Sequence, residues 1–402
     1  MPDLIISHFI NRPNSKYQHP LLMAGQEFVQ PFLSTTMSIP NSPNDPINTA
    51  ILMAAEDRIQ GFHRLPFHSI SEMSKQPVPI VIERLKAMME AGVVRRVRQT
   101  LLATKLAHGA LVAWHLPEDK LETAFDWLKS QDPFTGHVVL RNTSATNPGA
   151  EYRLWTTLKV PVGCGTLNSH CDILKKQIQA HDYVLLPAQG VFSLGVGHMR
   201  RRRLKPGDKT PHPARMESTK TVELSDKEWA VLLSIKEQLK PEEMVECPWA
   251  NRAAQLNMST NEYCQIAEML DKKRIIGRFA TFLEHVRTKT TDGPVTKFNG
   301  LFHWAVPQGM EEQAGAECGR HICMTHCYWR RGGEKFGNAQ IMGVVHGLEK
   351  DAVLAHKAAI DSHLAKCGIP ILHTAVFWGE RSEIKPSEIS PEIYQTWLRK
   401  YL

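Results

Sequence analysis

The strongest constraint on the fold is an internal duplication. The pair His137 and Arg141 recurs as His326 and Arg330, and both members are shifted by 189 residues (326 − 137 and 330 − 141). Positions i and i+4 of a strand lie on the same face, so each pair offers one imidazole and one guanidinium on a common surface. The chain is therefore expected to fold into two similar halves, each with its own core.

The first part of each half has the pattern of a small helical module. Apolar residues at helical spacing predict a helix over 78–91, and Gly92 supplies its stop. Further elements of the first module are predicted at 47–57, 69–75 and, as a β-branched wing, 93–100. The second module is predicted at 225–238, 250–256, 260–272 and 275–283, with Pro248-Trp249 matching Pro66-Phe67. Three helices and a wing predict a winged helix-turn-helix in each half.

The second part of each half predicts an α+β unit. In the first half, the strands are expected at 109–115, 137–141, 152–160 and 183–186, with helices at 118–130 and 167–181. The order βαββαβ is that of a ferredoxin-like domain. The predicted fold class is α+β, a tandem repeat of winged helix-turn-helix plus ferredoxin-like βαββαβ domain. The expected segments are a flexible leader (1–46), winged helix 1 (47–103), ferredoxin-like domain 1 (104–204), a linker (205–223), winged helix 2 (224–290), ferredoxin-like domain 2 (291–379) and a polar C-terminal tail (380–402).

Composition adds limits on location and partners. No apolar run is long enough to span a bilayer, and the N-terminus lacks the features of a signal peptide, so a cytoplasmic location is expected. The eight cysteines are too few for a disulfide scaffold in a chain of 402 residues. The net charge of +7 favours an anionic partner without identifying it.

The stretch 318–347 is the richest in chemical groups. If 323–330 is a strand, then Met324, His326, Tyr328 and Arg330 share one face, and Cys323 and Cys327 lie on the other. This alternation argues against a zinc or iron–sulfur site built from Cys318, His321, Cys323, His326 and Cys327, and no Cys-x-x-Cys pair is present. No metal site is expected.

The chain resembles a natural fusion of the two subunit types of siroheme decarboxylase, a branch of the Lrp/AsnC superfamily. The first type is matched by L-V-A-W-H-L-P, E-Y-R-L-W-T-T-L-K-V-P and V-L-L-P-A-Q-G-V-F-S-L-G-V. The second type is matched by R-I-I-G-R-F-A-T-F-L-E-H, T-H-C-Y-W-R-R and V-V-H-G. The resemblance covers roughly 47–380. Before V-V-H-G the family carries an aromatic W-P-Y-N-like run, whereas this chain has Gly337, Asn338, Ala339 and Gln340, so no stacking aromatic is expected there.

The resemblance implies decarboxylation of siroheme acetate side chains to give 12,18-didecarboxysiroheme, on the way to heme or heme d1. No cofactor is implied beyond the iron-tetrapyrrole substrate. Histidine suits proton transfer near neutral pH, and arginine holds carboxylates through a planar fork. The expected proton-transfer residues are His326, His346 and His137. The expected substrate-binding residues are Arg330, Arg141, Arg96, Arg278, Tyr328, Tyr152, Trp155 and His285.

Other functions fit parts of the same pattern. An Lrp/AsnC-type transcription regulator would need a recognition helix that presents several polar and basic side chains to DNA. The candidate helix of the first half offers only Arg84 and Lys86, and that of the second half is net acidic, so nucleic-acid binding is not expected. A heme or tetrapyrrole carrier without activity is a third hypothesis. The fused chain could also form a homodimer.

Overall fold

The structure is a computed structural model that describes residues 39–102, 106–195, 197–219, 222–284, 293–385 and 387–401. Most of the predicted leader and the predicted site residue His285 lie outside these ranges. The part of the leader that is described, from residue 39 onward, packs on the first helix, because the Asn48 side chain donates to the carbonyls of Pro40 and Ser42 at 2.9 Å each. No helix within the described ranges is long and apolar enough to cross a membrane.

Each half of the chain begins with helices followed by a strand. The first half has α1 (Pro46–Ala55), β1 (Ile59–Gln60), α2 (Pro66–Ser74), α3 (Val78–Glu90) and β2 (Val94–Leu101). The Asp45 side chain caps α1 by accepting from the backbone N–H groups of Ile47 and Asn48. Gly92 follows α3 with a φ of 72°, a left-handed conformation that allows the chain to turn out of the helix.

The first half continues with the order β-α-β-β-α-β. Its elements are β3 (Ala107–His115), α4 (Leu121–Gln131), β4 (Thr135–Asn142), β5 (Leu154–Pro161), α5 (Leu167–Ile178) and β6 (Asp182–Leu194). Helix α5 begins with a capping box, in which the Thr166 hydroxyl accepts from the Ser169 N–H and the Ser169 side chain bonds back.

The second half repeats both parts. A connection with α6 (His198–Arg201) and β7 (Glu217–Ser218) leads to α7 (Asp226–Ile235), α8 (Ala250–Gln255), α9 (Thr260–Lys272) and β8 (Ile276–Leu283). The sheet unit then has β9 (Phe298–Ala305), α10 (Glu311–Gly319), β10 (Met324–Arg330), β11 (Ile341–Gly347), α11 (Lys350–Lys366) and β12 (His373–Ile384). The molecule is a mixed α/β protein.

The two sheet units join edge to edge at both sides. The strands follow the order β10-β11-β9-β12-β4-β5-β3-β6, and β6 pairs again with β10, so the ladder closes on itself. The closing strand of each half makes both contacts: β12 pairs first with β9 and then with β4, and β6 pairs first with β3 and then with β10. All of these pairings are antiparallel. Among the described strands, closure leaves no free edge between the two halves.

Closure creates an inner face that both halves share. Helices α4 and α5 cover a core on the outer side of the first unit, and α10 and α11 cover a second core on the outer side of the other. The inner side holds a third core with members from both halves, which include Ala113, Val139, Trp155, Leu186, Leu301, Met342 and Phe377. Along each strand, the residues between those that belong to an outer core therefore face the junction of the two units.

The two helical modules are joined in the same manner. Strand β8 pairs with β2 and β1 in a three-stranded sheet, with Val97 opposite Thr281 and Arg98 opposite Ala280. One apolar core contains residues of both modules, among them Phe67, Leu85, Trp249 and Phe279. The strand predicted as a wing in each module thus pairs with its counterpart from the other module.

Two segments predicted to be polar connections have definite structure. The segment predicted as a linker contains β7, which pairs with β6. It also contains Lys209, which forms an isolated β-bridge with His321. In place of a polar tail, β12 runs to Ile384 and helix α12 (Pro391–Leu398) follows. Tyr394 and Trp397 pack into the outer core of the first half, since positions i and i+3 share one helix face.

Candidate functional site

The inner face of β10 carries three of the predicted site residues. His326, Tyr328 and Arg330 alternate with Cys327, which packs in the outer core under α10 and α11. The His326 and Tyr328 rings stack at 17° with centroids 6.2 Å apart, and the guanidinium carbon of Arg330 lies 4.4 Å from the Tyr328 ring centroid. The predicted line of imidazole, phenol and guanidinium is present.

Met324 was expected on this face, and that expectation is wrong. The register between β10 and β11 shifts between Met324 and His326, which marks a β-bulge. A bulge inserts one residue into a strand and so changes the side on which the preceding residue lies. Met324 consequently packs with Cys323 and Cys327 in the outer core. The separation of His326 from these two cysteines is confirmed.

Thr325, which sequence reasoning did not select, connects two of the predicted histidines. Its hydroxyl donates to the Val344 carbonyl at 2.9 Å and lies 3.2 Å from Nδ1 of His326 and 3.3 Å from Nδ1 of His346. A hydroxyl has one hydrogen to donate, so both imidazoles must donate to it from Nδ1–H. In this tautomer Nε2 of His326 carries no hydrogen, so it can accept a proton. Nε2 of His346 accepts from the Asn299 side chain at 3.2 Å.

His326 is neutral in the free protein. Burial, together with the positive charges of Arg278, Arg201 and Arg330, lowers its pKa to about 3. His326 and Tyr328 nevertheless remain partly accessible to solvent. Three guanidinium groups thus act on one neutral imidazole, and such a concentration of positive charge attracts an anion.

Arg330 and Arg141 occupy equivalent positions and make equivalent contacts. Nη1 of Arg330 donates to the Leu186 carbonyl on β6 at 2.6 Å, and Nη1 of Arg141 donates to the Phe377 carbonyl on β12 at 3.3 Å. Each arginine thus reaches the closing strand of the other half. Burial lowers the pKa of both groups to about 10, and both stay charged. Neither takes part in an ion pair within the described ranges.

The paired strands of the helical modules supply two further predicted arginines. Arg96 and Arg278 are separated by 182 residues, the same shift that relates Pro66 to Pro248. Arg278 is buried and its charge acts on both His326 and Tyr328, whereas Arg96 is half-buried and donates to the Ile384 carbonyl at 3.2 Å. Burial lowers the pKa of both groups. Of the two equivalent residues, Arg278 is the one beside the β10 face.

His137 lies on the inner face of β4, on the same side as Val139 and Arg141 and opposite Val138 and Leu140. Its backbone N–H donates to the Thr157 hydroxyl at 2.9 Å, and it stands in register with Ile384 of β12. The repeat relation to His326 therefore holds in three dimensions. Each half presents its histidine and arginine toward the shared interior.

Tyr152 and Trp155 are buried in the inner core. The Tyr152 hydroxyl donates to Asp182 at 2.6 Å, and the Trp155 indole donates to the Tyr152 carbonyl at 2.7 Å. Both rings contact Phe336, at centroid distances of 5.3 and 5.5 Å. The aromatic side chain of Phe336 thus fills the inner core immediately before the segment 337–340, which itself carries no aromatic residue.

Arg201 was not singled out from the sequence. It belongs to a run of four arginines, 200–203, and such runs are usually solvated. The Arg201 guanidinium is instead largely buried and binds Asp57 at 2.8 Å and the Ile322 carbonyl at 2.8 Å. His198, three residues earlier, places its ring 5.0 Å from that of His346 at 88°. Both residues belong to α6, a helix of four residues that leaves no periodic signal in the sequence.

His303 is a second residue that the sequence did not reveal. It lies on the inner face of β9, is 1% exposed, and neither ring nitrogen has a hydrogen-bond partner within the described ranges. Burial, with the neighbouring His373, lowers its pKa to about 3. An unpaired buried imidazole costs free energy, so a catalytic role or a bound ligand is among the usual reasons for its presence. The sequence did contain one sign of this position. A histidine that alternates with Phe302 and Trp304 along a strand must lie on the opposite face from these two core residues.

A small cavity adjoins the β10 face. It measures about 160 Å³ and is lined by residues that include His198, Arg201, Thr325, His346 and His356. Pockets that hold drug-sized ligands measure about 300–1,000 Å³, so this cavity is the size of a side chain and not of a macrocycle. A larger open groove of about 480 Å³ lies by α3 and is lined by Val78, Pro79, Ile82, Glu83, Lys86, Met244, Val245 and Glu246. That groove lacks histidine and arginine, so we assign it no part in the chemistry.

Comparisons with known proteins agree with the motifs. A curated siroheme decarboxylase of Hydrogenobacter thermophilus is 25% identical over 294 residues, which cover 71% of this chain and 80% of that protein. The crystal structure of the siroheme decarboxylase NirDL superposes with a TM-score of 0.61 at 16% identity and covers 89% of this chain and 99% of its own. NirDL in co-complex with an iron-uroporphyrin III analogue gives a TM-score of 0.60, with 89% and 98% coverage and 16% identity.

No family model matches the chain. The similarity to NirDL, at 16% identity, supports the fold alone. The Hydrogenobacter relative supports the resemblance at the level of sequence. The resemblance to siroheme decarboxylases that the motifs predicted is thus confirmed, both in sequence over most of the chain and in the fold that the two halves build together.

Proposed function

We propose that this protein is a siroheme decarboxylase, which converts acetate side chains of an iron tetrapyrrole to methyl groups in the formation of heme or heme d1. The observation that carries the proposal is the β10 face, where His326 is surrounded by Arg278, Arg201 and Arg330. Arg278 and Arg330 have no carboxylate in ion-pair contact within the described ranges. A substrate ringed with carboxylates would supply the missing negative charge.

The reaction needs a site for the carboxylate and a source of one proton. Loss of CO₂ from a side-chain acetate leaves an electron pair on the methylene carbon, which the macrocycle delocalises. Protonation of that carbon completes the methyl group, so each turnover consumes one proton and releases one CO₂. We assign proton delivery to His326, with His346 joined to it through Thr325. The iron tetrapyrrole is the substrate, and no other cofactor is required.

The charge around His326 links binding to protonation. Three arginines and burial keep its pKa near 3 in the free protein. A carboxylate placed among these arginines would offset their charge and favour the imidazolium form. His326 would then gain a proton only when substrate is bound, at the stage where a proton donor is useful. His137, the equivalent residue of the other half, is the second candidate donor.

The remaining predicted residues fall into two groups. Arg141 and Arg96 are proposed to meet peripheral carboxylates, because both are held close to the closed sheet and neither has an ion-pair partner within the described ranges. Tyr328 is proposed to contact the macrocycle, while Tyr152 and Trp155, buried against Phe336, are proposed to support the binding face from the core beneath it. The co-complex of NirDL with an iron-uroporphyrin III analogue supports a tetrapyrrole ligand. The cavity of about 160 Å³ would take one side chain of such a ligand.

We further propose the finer classification of the fold and its setting. The module order supports a tandem of winged helix-turn-helix and ferredoxin-like domains of Lrp/AsnC type, acting in the cytoplasm. DNA binding is not part of the proposal, because α3 is poor in base-reading side chains and α9 carries Glu262, Glu268 and Asp271. A further homodimer of the fused chain is compatible with this function.

The test is anaerobic incubation of the purified protein with siroheme, followed by mass analysis of the extracted pigment. The expected result is loss of CO₂ from the acetate side chains to give the didecarboxy product. A control incubation without protein measures spontaneous loss. Pigment that binds with unchanged mass would overturn the catalytic function and leave a tetrapyrrole carrier in its place.

We also expect ligand binding to take up protons. The folded pKa of His326 is depressed to about 3, so between that pH and the raised pKa of the complex the bound state holds the extra proton. The measurement is calorimetric titration with an iron-uroporphyrin in buffers of different ionisation enthalpy, with the pigment mass checked afterwards for turnover. His326→Gln should reduce the uptake, and a binding heat that does not depend on the buffer would contradict this assignment.

A further inference from the structure

Potential metal ligands gather where the C-terminal ends of two helices meet on the outer side of the second sheet unit. Glu317 lies in the last turn of α10, and His321 follows just after that helix ends. His363 lies in the last turn of α11, and Cys367 caps its C-terminus. The two helices pack together, which brings Glu317 beside His363.

Three of these side chains already lie within ligand distance of one another. The ligand atoms of Glu317, His363 and Cys367 are all within 4.8 Å of each other. Nε2 of His363 is 2.5 Å from Oε2 of Glu317 and 3.6 Å from Sγ of Cys367. Zinc bonds of about 2.0–2.3 Å in tetrahedral geometry place ligand atoms about 3.4 Å apart. The His363–Cys367 distance already matches that spacing, and Glu317 lies closer to His363 because the two are hydrogen-bonded.

His321 provides an independent sign of a missing partner. It is 1% exposed, and neither of its ring nitrogens has a hydrogen-bond partner within the described ranges. Its ring centroid lies 5.1 Å from that of His363, at an interplanar angle of 72°. A buried imidazole is normally hydrogen-bonded or bound to a metal, because leaving it unpaired costs about 1–3 kcal/mol.

We propose that Glu317, His321, His363 and Cys367 form a zinc site that fastens α10 to α11. Carboxylate oxygen, imidazole nitrogen and thiolate are all ligand types that zinc binds, and four such groups would complete a tetrahedral site. The site lies on the outer side of the sheet and faces away from the residues to which we assign the decarboxylation. Its role would be to stabilise the fold of the second half.

Binding requires defined changes in the neighbouring groups. Cys367 must lose its thiol proton, and His363 must give up the Nε2 proton that it donates to Glu317. Nδ1 of His363 then carries the hydrogen, so Lys209, whose Nζ is 2.8 Å from Nδ1, must turn toward solvent. Arg320 can keep its bond of 3.1 Å to one oxygen of Glu317 while the other oxygen binds the ion.

The test uses the full chain, stripped of metal and then loaded with Co²⁺ or Zn²⁺ and desalted. The expected result is about one metal per chain by elemental analysis, with a thiolate-to-cobalt charge-transfer band in the ultraviolet. Chelation should lower the midpoint of thermal unfolding. Neither readout depends on decarboxylation, so this proposal and the proposed function can fail separately.

Three variants give the test its discrimination. Cys367→Ser should lose the charge-transfer band while keeping the far-ultraviolet circular dichroism of the parent. Cys164→Ser, which changes a half-buried cysteine of the first half, should keep the band. His321→Gln should weaken cobalt binding, and unchanged affinity would remove His321 from the site. Failure of the parent chain to retain metal, or a band that survives Cys367→Ser, would overturn the proposal.

Discussion

Replacement of His326 by alanine should lower the rate of siroheme decarboxylation by about 10²–10⁴-fold, the range over which general acid–base groups contribute. Pigment affinity should fall much less than the rate, because the electrostatic attraction of Arg278, Arg201 and Arg330 remains and only the part of binding that is linked to proton uptake by His326 is lost. Single-turnover kinetics, with the pigment analysed by mass and its binding followed by absorbance, separate the two effects.

The matched control is His108→Ala, which removes an exposed histidine from a strand of the same closed sheet. Its rate should equal that of the parent. If His326→Ala keeps the parental rate, the proton comes from another group, and His346 or His137 becomes the first alternative. If His326→Ala loses pigment binding together with turnover, then His326 holds the substrate and the division of roles proposed here is wrong.

The arrangement around His326 was predictable where it depended on local period. Alternation along β10 places His326, Tyr328 and Arg330 together, because side chains of a strand point to opposite faces in turn. The shift of 189 residues similarly placed His137 and Arg141 on the inner face of the first half. Strand alternation and internal repetition are properties of the sequence itself, so both can be recognised without knowledge of the tertiary structure.

The contacts that complete the site depend on long-range pairing and could not be predicted in this way. The bulge that turns Met324 away requires a particular partner strand, β11. The pairing of β12 with β4 and of β6 with β10 brings together residues more than 130 positions apart. Arg201 reaches its place because Asp57, which follows α1 of the first helical module, binds it. No local pattern specifies such partners.

The short segment before β11 shows what a local pattern predicts and what it misses. It was expected to lack a stacking aromatic, since Gly337, Asn338, Ala339 and Gln340 replace the aromatic run of the family. Phe336 instead turns inward and packs between Tyr152 and Trp155. Gly149 makes room for it, because a Cβ at that position would lie 2.5 Å from the Phe336 ring. The aromatic group is thus supplied from an adjacent position and meets residues of the other half.

Phe336→Ala should therefore lower the free energy of unfolding by about 3–5 kcal/mol, the usual cost of removing a fully buried aromatic side chain. Phe336 is 0% exposed and is a member of the core that both halves share, so its loss leaves a cavity at their junction. Urea unfolding followed by tryptophan fluorescence measures the change, with Trp155 as a neighbouring reporter. Leu372→Ala is the control: this side chain is 65% exposed, and its truncation should change stability by about 0.5 kcal/mol or less. Equal effects of the two substitutions would show that the inner core does not hold the two halves together.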